Sequence, residues 1–126
     1  MANDLPINVL LVEDDIINGQ LFKMMLDRLG YQSDLALNGQ EALDKLAKNS
    51  YKIVLMDCQM PVLDGYGATQ ALREREAAGQ QHTIVIGLTA YSMLDSRNRC
   101  LNAGMDDYLS KPLAIKDLAD MIQKWI

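Results

Sequence analysis

Ile7-Asn8-Val9-Leu10-Leu11-Val12, cut off abruptly by Glu13-Asp14-Asp15, is the run on which the reading of the fold turns. It is apolar at nearly every position and does not alternate as a half-exposed strand would. It reads as a strand covered on both faces, and such strands belong to parallel sheets. Directly after it the period changes. From Ile16 to Leu29 the residues Phe22, Met25, Leu26 and Leu29 are spaced for one face of a helix, with Asp15 placed as N-cap and Gly30 as C-cap. The same cycle then recurs along the chain. Ser33–Leu37 reads as a weak strand, and Gly39–Asn49 as a helix burying Ala42, Leu43, Leu46 and Ala47. Lys52–Met56 is a second buried strand ending at Asp57, followed by a loop with Pro61 and Asp64-Gly65 and a helix from about Tyr66 to Ala78. Thr83–Leu88 is an apolar strand, Met93 to Ala103 a helix closing at Gly104, and Tyr108-Leu109 a short strand before Lys111-Pro112. A last helix, Ile115 to Trp125, carries Leu118, Met121, Ile122 and Trp125 at helical spacing. Five strands alternating with five helices predict an α/β domain with a parallel five-stranded sheet and helices on both faces. The flavodoxin-like order 2-1-3-4-5 fits five short units, whereas a closed eight-fold barrel needs a longer chain.

The chain has 126 residues, of which 49% are hydrophobic and 23% charged. At about 100–200 residues per domain that composition describes one globular domain spanning 1–126, with roughly residues 1–6 as an N-terminal extension. Twelve basic residues against seventeen acidic give a net charge of −5. With no Lys/Arg cluster to offset the excess, neither direct nucleic-acid binding nor direct attraction to an anionic membrane surface is expected. Cys58 and Cys100 are too few for a disulfide framework, and with His82 as the single histidine a zinc site has almost nothing to use. The N-terminus lacks the basic and apolar regions of a signal peptide, and the longest apolar stretches fall far short of a membrane span. The expected compartment is therefore the cytoplasm, or the cytoplasmic side of a membrane-anchored parent protein. The oligomeric state is left open, with a monomer among the options.

The residues with chemistry to offer fall at the C-terminal ends of the expected strands: Glu13 and Asp14 after the first, Asp57 after the third, Thr89 after the fourth and Lys111 after the fifth. Ligands of open α/β sheets bind in the crevice outside those ends, where strand order reverses. Order 2-1-3 sets strands one and three side by side, so Glu13, Asp14 and Asp57 converge. Three carboxylates so close repel unless a cation sits among them. Oxygen donors without His or Cys suit a hard ion, Mg²⁺ or Mn²⁺.

Four segments carry a resemblance to a known family. Leu-Val-Glu-Asp-Asp at 11–15, Met-Asp-Cys-Gln-Met-Pro-Val-Leu-Asp-Gly at 56–65, Leu-Thr-Ala at 88–90 and Asp-Tyr-Leu-Ser-Lys-Pro at 107–112 resemble the receiver domains of two-component response regulators. The wording Glu-Asp and Asp-Cys-Gln-Met-Pro is closest to the receivers of hybrid histidine kinases, and the resemblance covers essentially the whole chain. It implies that Asp57 accepts a phosphoryl group from a phosphohistidine of a histidine kinase or a histidine phosphotransfer domain, and that the domain slowly hydrolyses its own phosphate. It further implies that Mg²⁺ is held by an acidic pair, by Asp57 and by the backbone carbonyl of Gln59. Of three consecutive acids, Glu13 and Asp14 match the family's spacing to Gly30, which leaves Asp15 free to cap the helix. Lys111 and Thr89 are implied as partners of the phosphoryl oxygens, Tyr108 as the aromatic that switches with Thr89, and Gln59 and Tyr91 as residues flanking the path of attacking water. A cis Lys111–Pro112 bond is also implied. Adjacent helix residues point ~100° apart, so one of Ile16 and Ile17 is expected on the surface, and Ile17 is the suggested partner contact.

The receiver of a hybrid kinase and a free-standing single-domain regulator are both compatible with these residues, and the parent chain of the former would itself be a kinase. A phosphatase with an aspartate nucleophile is the reading from another class. It needs an acid two residues beyond the nucleophile, where this chain has Gln59. A degenerate receiver that only binds partners is the third reading.

Overall fold

The computed structural model describes residues 8–60, 62–79, 81–90 and 94–126, and the side chains of all of these but 94–96. The expected extension over 1–6, with Ile7, Pro61, Tyr91 and Met93, lies outside them. The chain runs β1 (Asn8–Val12), α1 (Ile16–Arg28), β2 (Gln32–Ala36), α2 (Gly39–Lys48), β3 (Ile53–Asp57), α3 (Gly65–Ala77), β4 (Ile84–Thr89), α4 (Leu94–Asn102), β5 (Asp107–Ser110) and α5 (Ile115–Trp125). All five strands are parallel and lie in the order β2-β1-β3-β4-β5, as expected of the flavodoxin-like fold. Element ends fall within a residue of the expected ones. β3 takes in Asp57 because that residue pairs with Leu88 on β4.

Alternate residues of each strand feed two cores. Val9 and Leu11 of β1, with Ile53 and Leu55 of β3, pack against Phe22 and Leu26 of α1 and Leu118 and Ile122 of α5. Leu10, Val12, Val54 and Met56 point the other way, onto Ala42 and Leu43 of α2, Ala68 and Leu72 of α3 and Cys100 of α4. Near-continuous apolar strands are what a sheet covered on both sides requires. Two local expectations need correction. Ile16 and Ile17 are both exposed, at 53% and 77%, because the first turn of α1 starts beyond the end of β1 and has no sheet beneath it. Ala47, expected on the buried side of α2, is exposed in the helix's last turn, while Leu46 is half-buried.

The N-termini of α1, α2 and α3 are capped by short polar side chains. Asp15 accepts from the N–H groups of Ile17 and Asn18 at 2.9 and 3.3 Å, and Asp64 accepts from that of Gly67 at 2.8 Å. Gly30 and Gly104 close α1 and α4 in the left-handed region, at φ 89° and 103°, where a side chain is penalised. Between β3 and α3, Val62 holds φ 71°. A β-branched residue there is strained, and such strain clusters beside functional sites.

Candidate functional site

Register brings the acids together. Val12 of β1 lies opposite Met56 of β3, so the next residues, Glu13 and Asp57, end at one level. Glu13 is fixed by its N–H, which donates to the Ala36 carbonyl at 3.0 Å. Its side chain and that of Asp57 are buried, while Asp14 is exposed beside them. Glu13, Asp14 and Asp57 each offer a carboxylate oxygen within 4.8 Å of the others. Lys111 reaches in from the end of β5, with Nζ 3.1 Å from Glu13 Oε2 and 3.1 Å from Asp57 Oδ2. Its backbone is held to β4 by an N–H donated to the Thr89 carbonyl at 2.7 Å, and Thr89 itself is buried. The peptide bond from Lys111 to Pro112 is cis. The N–H of Gln59 donates to Asp57 Oδ1 at 3.2 Å. Gly65 lets α3 begin against this strand end: a Cβ there would collide with the Asp57 carbonyl oxygen.

The electrostatics are those of a site with too much negative charge. Burial, followed by the hydrogen bond to Asp57 and its charge, pushes the Glu13 carboxyl up to about 7, and Lys111 offsets only part of this. Burial works against the charge of Lys111, but the carboxylates of Asp57 and Glu13 outweigh it and hold the ammonium above its ordinary value. One lysine against three carboxylates leaves room for a further cation. A donor set of oxygens alone fits a hard divalent ion such as Mg²⁺.

The structure thus places Glu13, Asp14, Asp57, Gln59, Thr89 and Lys111 around one cleft, while Asp15 points into the first turn of α1. Tyr108 lies further along β5, half-buried against the core that contains Cys100 and Met105. Ile17 stands on the adjoining rim, and sequence reasoning missed what surrounds it. Leu21 and Met24 of α1 and Ile115 of α5 are exposed there too. The available signal was a second apolar series on α1, Ile17, Leu21 and Met24 at i, i+4 and i+7. The contact between Cys58 and Cys100, 3.7 Å sulfur to sulfur, was also missed.

An open parallel α/β domain with a buried strand-end aspartate, two further acids and a lysine across the cleft is the architecture of a phosphoacceptor domain. Comparison with known proteins places it further: residues 9–123 match the response regulator receiver domain, and the chain belongs to that family. It is 40% identical over 126 residues to hybrid signal transduction histidine kinase B of Dictyostelium discoideum, and 36% identical over 118 residues to sensor protein GacS of Pseudomonas syringae. Those alignments cover 92% and 93% of this chain but 6% and 13% of the relatives, so the chain spans a small part of their length. Among solved structures, the receiver domain of sensor histidine kinase PA1611 from Pseudomonas aeruginosa, with magnesium in its active site cleft, superposes with a TM-score of 0.87 at 39% identity, covering 96% of this chain and 98% of that one. The receiver domain of the Saccharomyces cerevisiae regulator Ssk1, in complex with the phosphotransfer protein Ypd1, superposes with 0.88 at 32% identity, covering 95% and 88%. Among the described residues, no helix is long and apolar enough to cross a membrane.

Proposed function

We propose that Asp57 is the phosphoacceptor of this receiver domain, taking a phosphoryl group from a phosphohistidine and passing the change in charge to the β4–β5 side of the fold. The observation that carries this reading is the buried Asp57 carboxylate, ion-paired to Lys111 at 3.1 Å and within 4.8 Å of two further acids at a sheet's switch point. Glu13, Asp14, Asp57 and the carbonyl of Gln59 would hold Mg²⁺, with Mn²⁺ the alternative for the same oxygens. When bound, the ion supplies positive charge that lets an anionic nucleophile meet an anionic phosphoryl group. A carboxylate oxygen of Asp57 attacks phosphorus in line as the P–N bond to the donor imidazole breaks, and the resulting acyl phosphate places three oxygens in the cleft. Lys111, already held between Asp57 and Glu13, pairs with one of them as a point charge. Thr89 donates its hydroxyl to another, and the shift of β4 biases the half-buried ring of Tyr108. Gln59, two residues beyond Asp57, borders the path of the water that later hydrolyses the acyl phosphate.

Hybrid histidine kinases are prominent among the relatives and this chain covers a small part of each, which favours the receiver of a hybrid kinase or phosphorelay over a free-standing regulator. The partners are then a histidine kinase and a histidine phosphotransfer domain, in the cytoplasm or on the cytoplasmic side of a membrane-anchored parent. Residues 1–126 form the receiver, with 1–6 as its extension. The exposed apolar group of Ile17, Leu21, Met24 and Ile115 is the surface that meets the phosphodonor. The test is intact mass after incubation with acetyl phosphate, with and without Mg²⁺, on wild type and Asp57→Asn. One added phosphoryl group that requires both Mg²⁺ and Asp57 is expected. An adduct that survives in Asp57→Asn would place the acceptor elsewhere, and none in wild type would leave a binding module.

A further inference from the structure

We propose that Cys58 and Cys100 are a redox modification site, a dithiol that closes to an intramolecular disulfide and so pins α4 to the end of β3 beside Asp57. The two residues are 42 positions apart, yet their sulfurs lie 3.7 Å from each other and both residues are fully buried. The space in which they meet is left by Gly87 of β4. A Cβ there would stand 3.2 Å from the Cys58 sulfur, 3.1 Å from that of Cys100 and 2.5 Å from that of Met105. A glycine at this one position of a buried strand is what lets the two thiols touch. A disulfide needs its sulfurs about 2.05 Å apart, so closure asks for a modest approach of two groups already in contact.

Access comes from α4. Among its described side chains, residues 97–102, Cys100 alone is buried and the other five are exposed. On its outer side Arg99 lies over the Tyr66 ring of α3, 4.6 Å from the centroid. A stretch of helix with one buried side chain among the six described is the kind of segment that opens locally at small cost. Opening uncovers Cys100 first and Cys58 behind it, and closure of the bridge would add a covalent anchor to a helix with one buried side chain among those described.

The step is a two-electron oxidation with a peroxide as oxidant. One cysteine sulfur attacks a peroxide oxygen, the O–O bond breaks, and a sulfenic acid and one water are formed. The second sulfur displaces the sulfenic oxygen, which leaves as a second water, so that both thiol protons depart with oxygen and the S–S bond remains. Bridging draws Cys58 toward α4 and with it Asp57, its neighbour in the chain. Misplacing a reacting group by about 1 Å costs on the order of a hundredfold in rate. That consequence rests on the phosphoacceptor reading, whereas the bridge does not.

The experiment treats the folded chain with diamide, which removes the same two electrons and two protons and spares methionine. The protein is then unfolded in an alkylating reagent. The expected result is loss of both alkylation sites, a mass lower by two hydrogens, a peptide linking Cys58 to Cys100, and full reversal by dithiothreitol. In Cys100→Ala the thiol of Cys58 stays free of any intramolecular bridge. Complete alkylation of both cysteines after treatment, or bridges found only between two copies of the chain, overturns the site. Phosphoryl uptake from acetyl phosphate is measured on the same samples. It is expected to fall at least about tenfold in the bridged form and to recover on reduction. An unchanged rate overturns the link to Asp57, while no uptake by the reduced chain overturns the phosphoacceptor reading and leaves the thiol result standing.

Discussion

Lys111 is the residue on which the cleft's balance depends. Its ammonium is 3.1 Å from both Glu13 and Asp57 and mostly shielded from water, and Asp14 adds a third negative charge nearby. Removing one partner of a shielded ion pair leaves the other charges uncompensated, which costs more than the pair itself contributes. Lys111→Ala in the presence of a chelator is therefore expected to unfold earlier than wild type, by about 2 kcal/mol in urea titrations. Millimolar Mg²⁺ is expected to narrow the gap, because a divalent cation replaces the missing charge. Equal urea midpoints for the two proteins in chelator would show that Lys111 does not compensate the carboxylates. The position of this lysine was legible in the sequence from its place after the fifth strand, as was the convergence of Glu13 and Asp57 from the order 2-1-3. That Glu13 is the buried acid and Asp14 the exposed one was not, because it depends on how the chain turns after Val12.

At the level of elements, the strands were readable because burial on both faces leaves little but Val, Leu, Ile and Met along β1, β3 and β4. The ties between elements were not readable, since their partners are distant in sequence. Arg73 of α3 donates to the carbonyls of Gly104 and Thr83 and pairs with Asp106 and Glu76, joining α3 to the starts of β4 and β5. No periodicity marks such a hub. Asp107 does the same for β5 and α5, with one carboxylate oxygen accepting from Lys124 Nζ at 2.8 Å and from Trp125 Nε1 at 3.1 Å, and the other from the Tyr108 N–H at 2.9 Å. Burial opposes ionisation of Asp107, but these bonds prevail and hold its carboxyl below the ordinary 3.8. A carboxyl whose value is depressed by folding stabilises the fold above its unfolded value, and the contribution drains away as pH falls through the folded one. Asp107→Asn should accordingly be less stable than wild type at pH 7 by on the order of 1 kcal/mol. The difference should vanish in acid below the ordinary carboxylate range. Thermal unfolding of both proteins across that range checks this, and a deficit of constant size at every pH would show that the loss is one of packing and not of charge.

For the whole molecule, the arrangement of surfaces would let one cleft serve a large partner and still respond to a small donor, as the proposed function requires. The acids open at the C-terminal edge of the sheet. Ile17 rises beside them from the unsupported first turn of α1, and Leu21, Met24 and Ile115 extend the apolar strip along the same side. An exposed apolar strip on a small domain is a candidate protein contact, and, since this one borders the proposed acceptor, a protein that donates from a phosphohistidine is expected to seat on it. Acetyl phosphate needs no such seat. Ile17→Glu should therefore slow transfer from a phosphorylated histidine phosphotransfer protein by about tenfold, the loss of one well-buried contact in an interface. The rate with acetyl phosphate should stay within about twofold of wild type, far below the 1.4 kcal/mol that a tenfold change represents. The fold should tolerate the change, because position 17 is 77% exposed and a carboxylate in the first turn of a helix is favourably placed against its dipole. Rates with both donors, measured on Ile17→Glu and on the uncharged Ile17→Ala, separate the possibilities. Slowing with the protein donor in both variants assigns the effect to lost apolar contact, whereas slowing with both donors in the glutamate variant alone assigns it to added charge beside Glu13 and Asp14 and removes Ile17 from the docking surface.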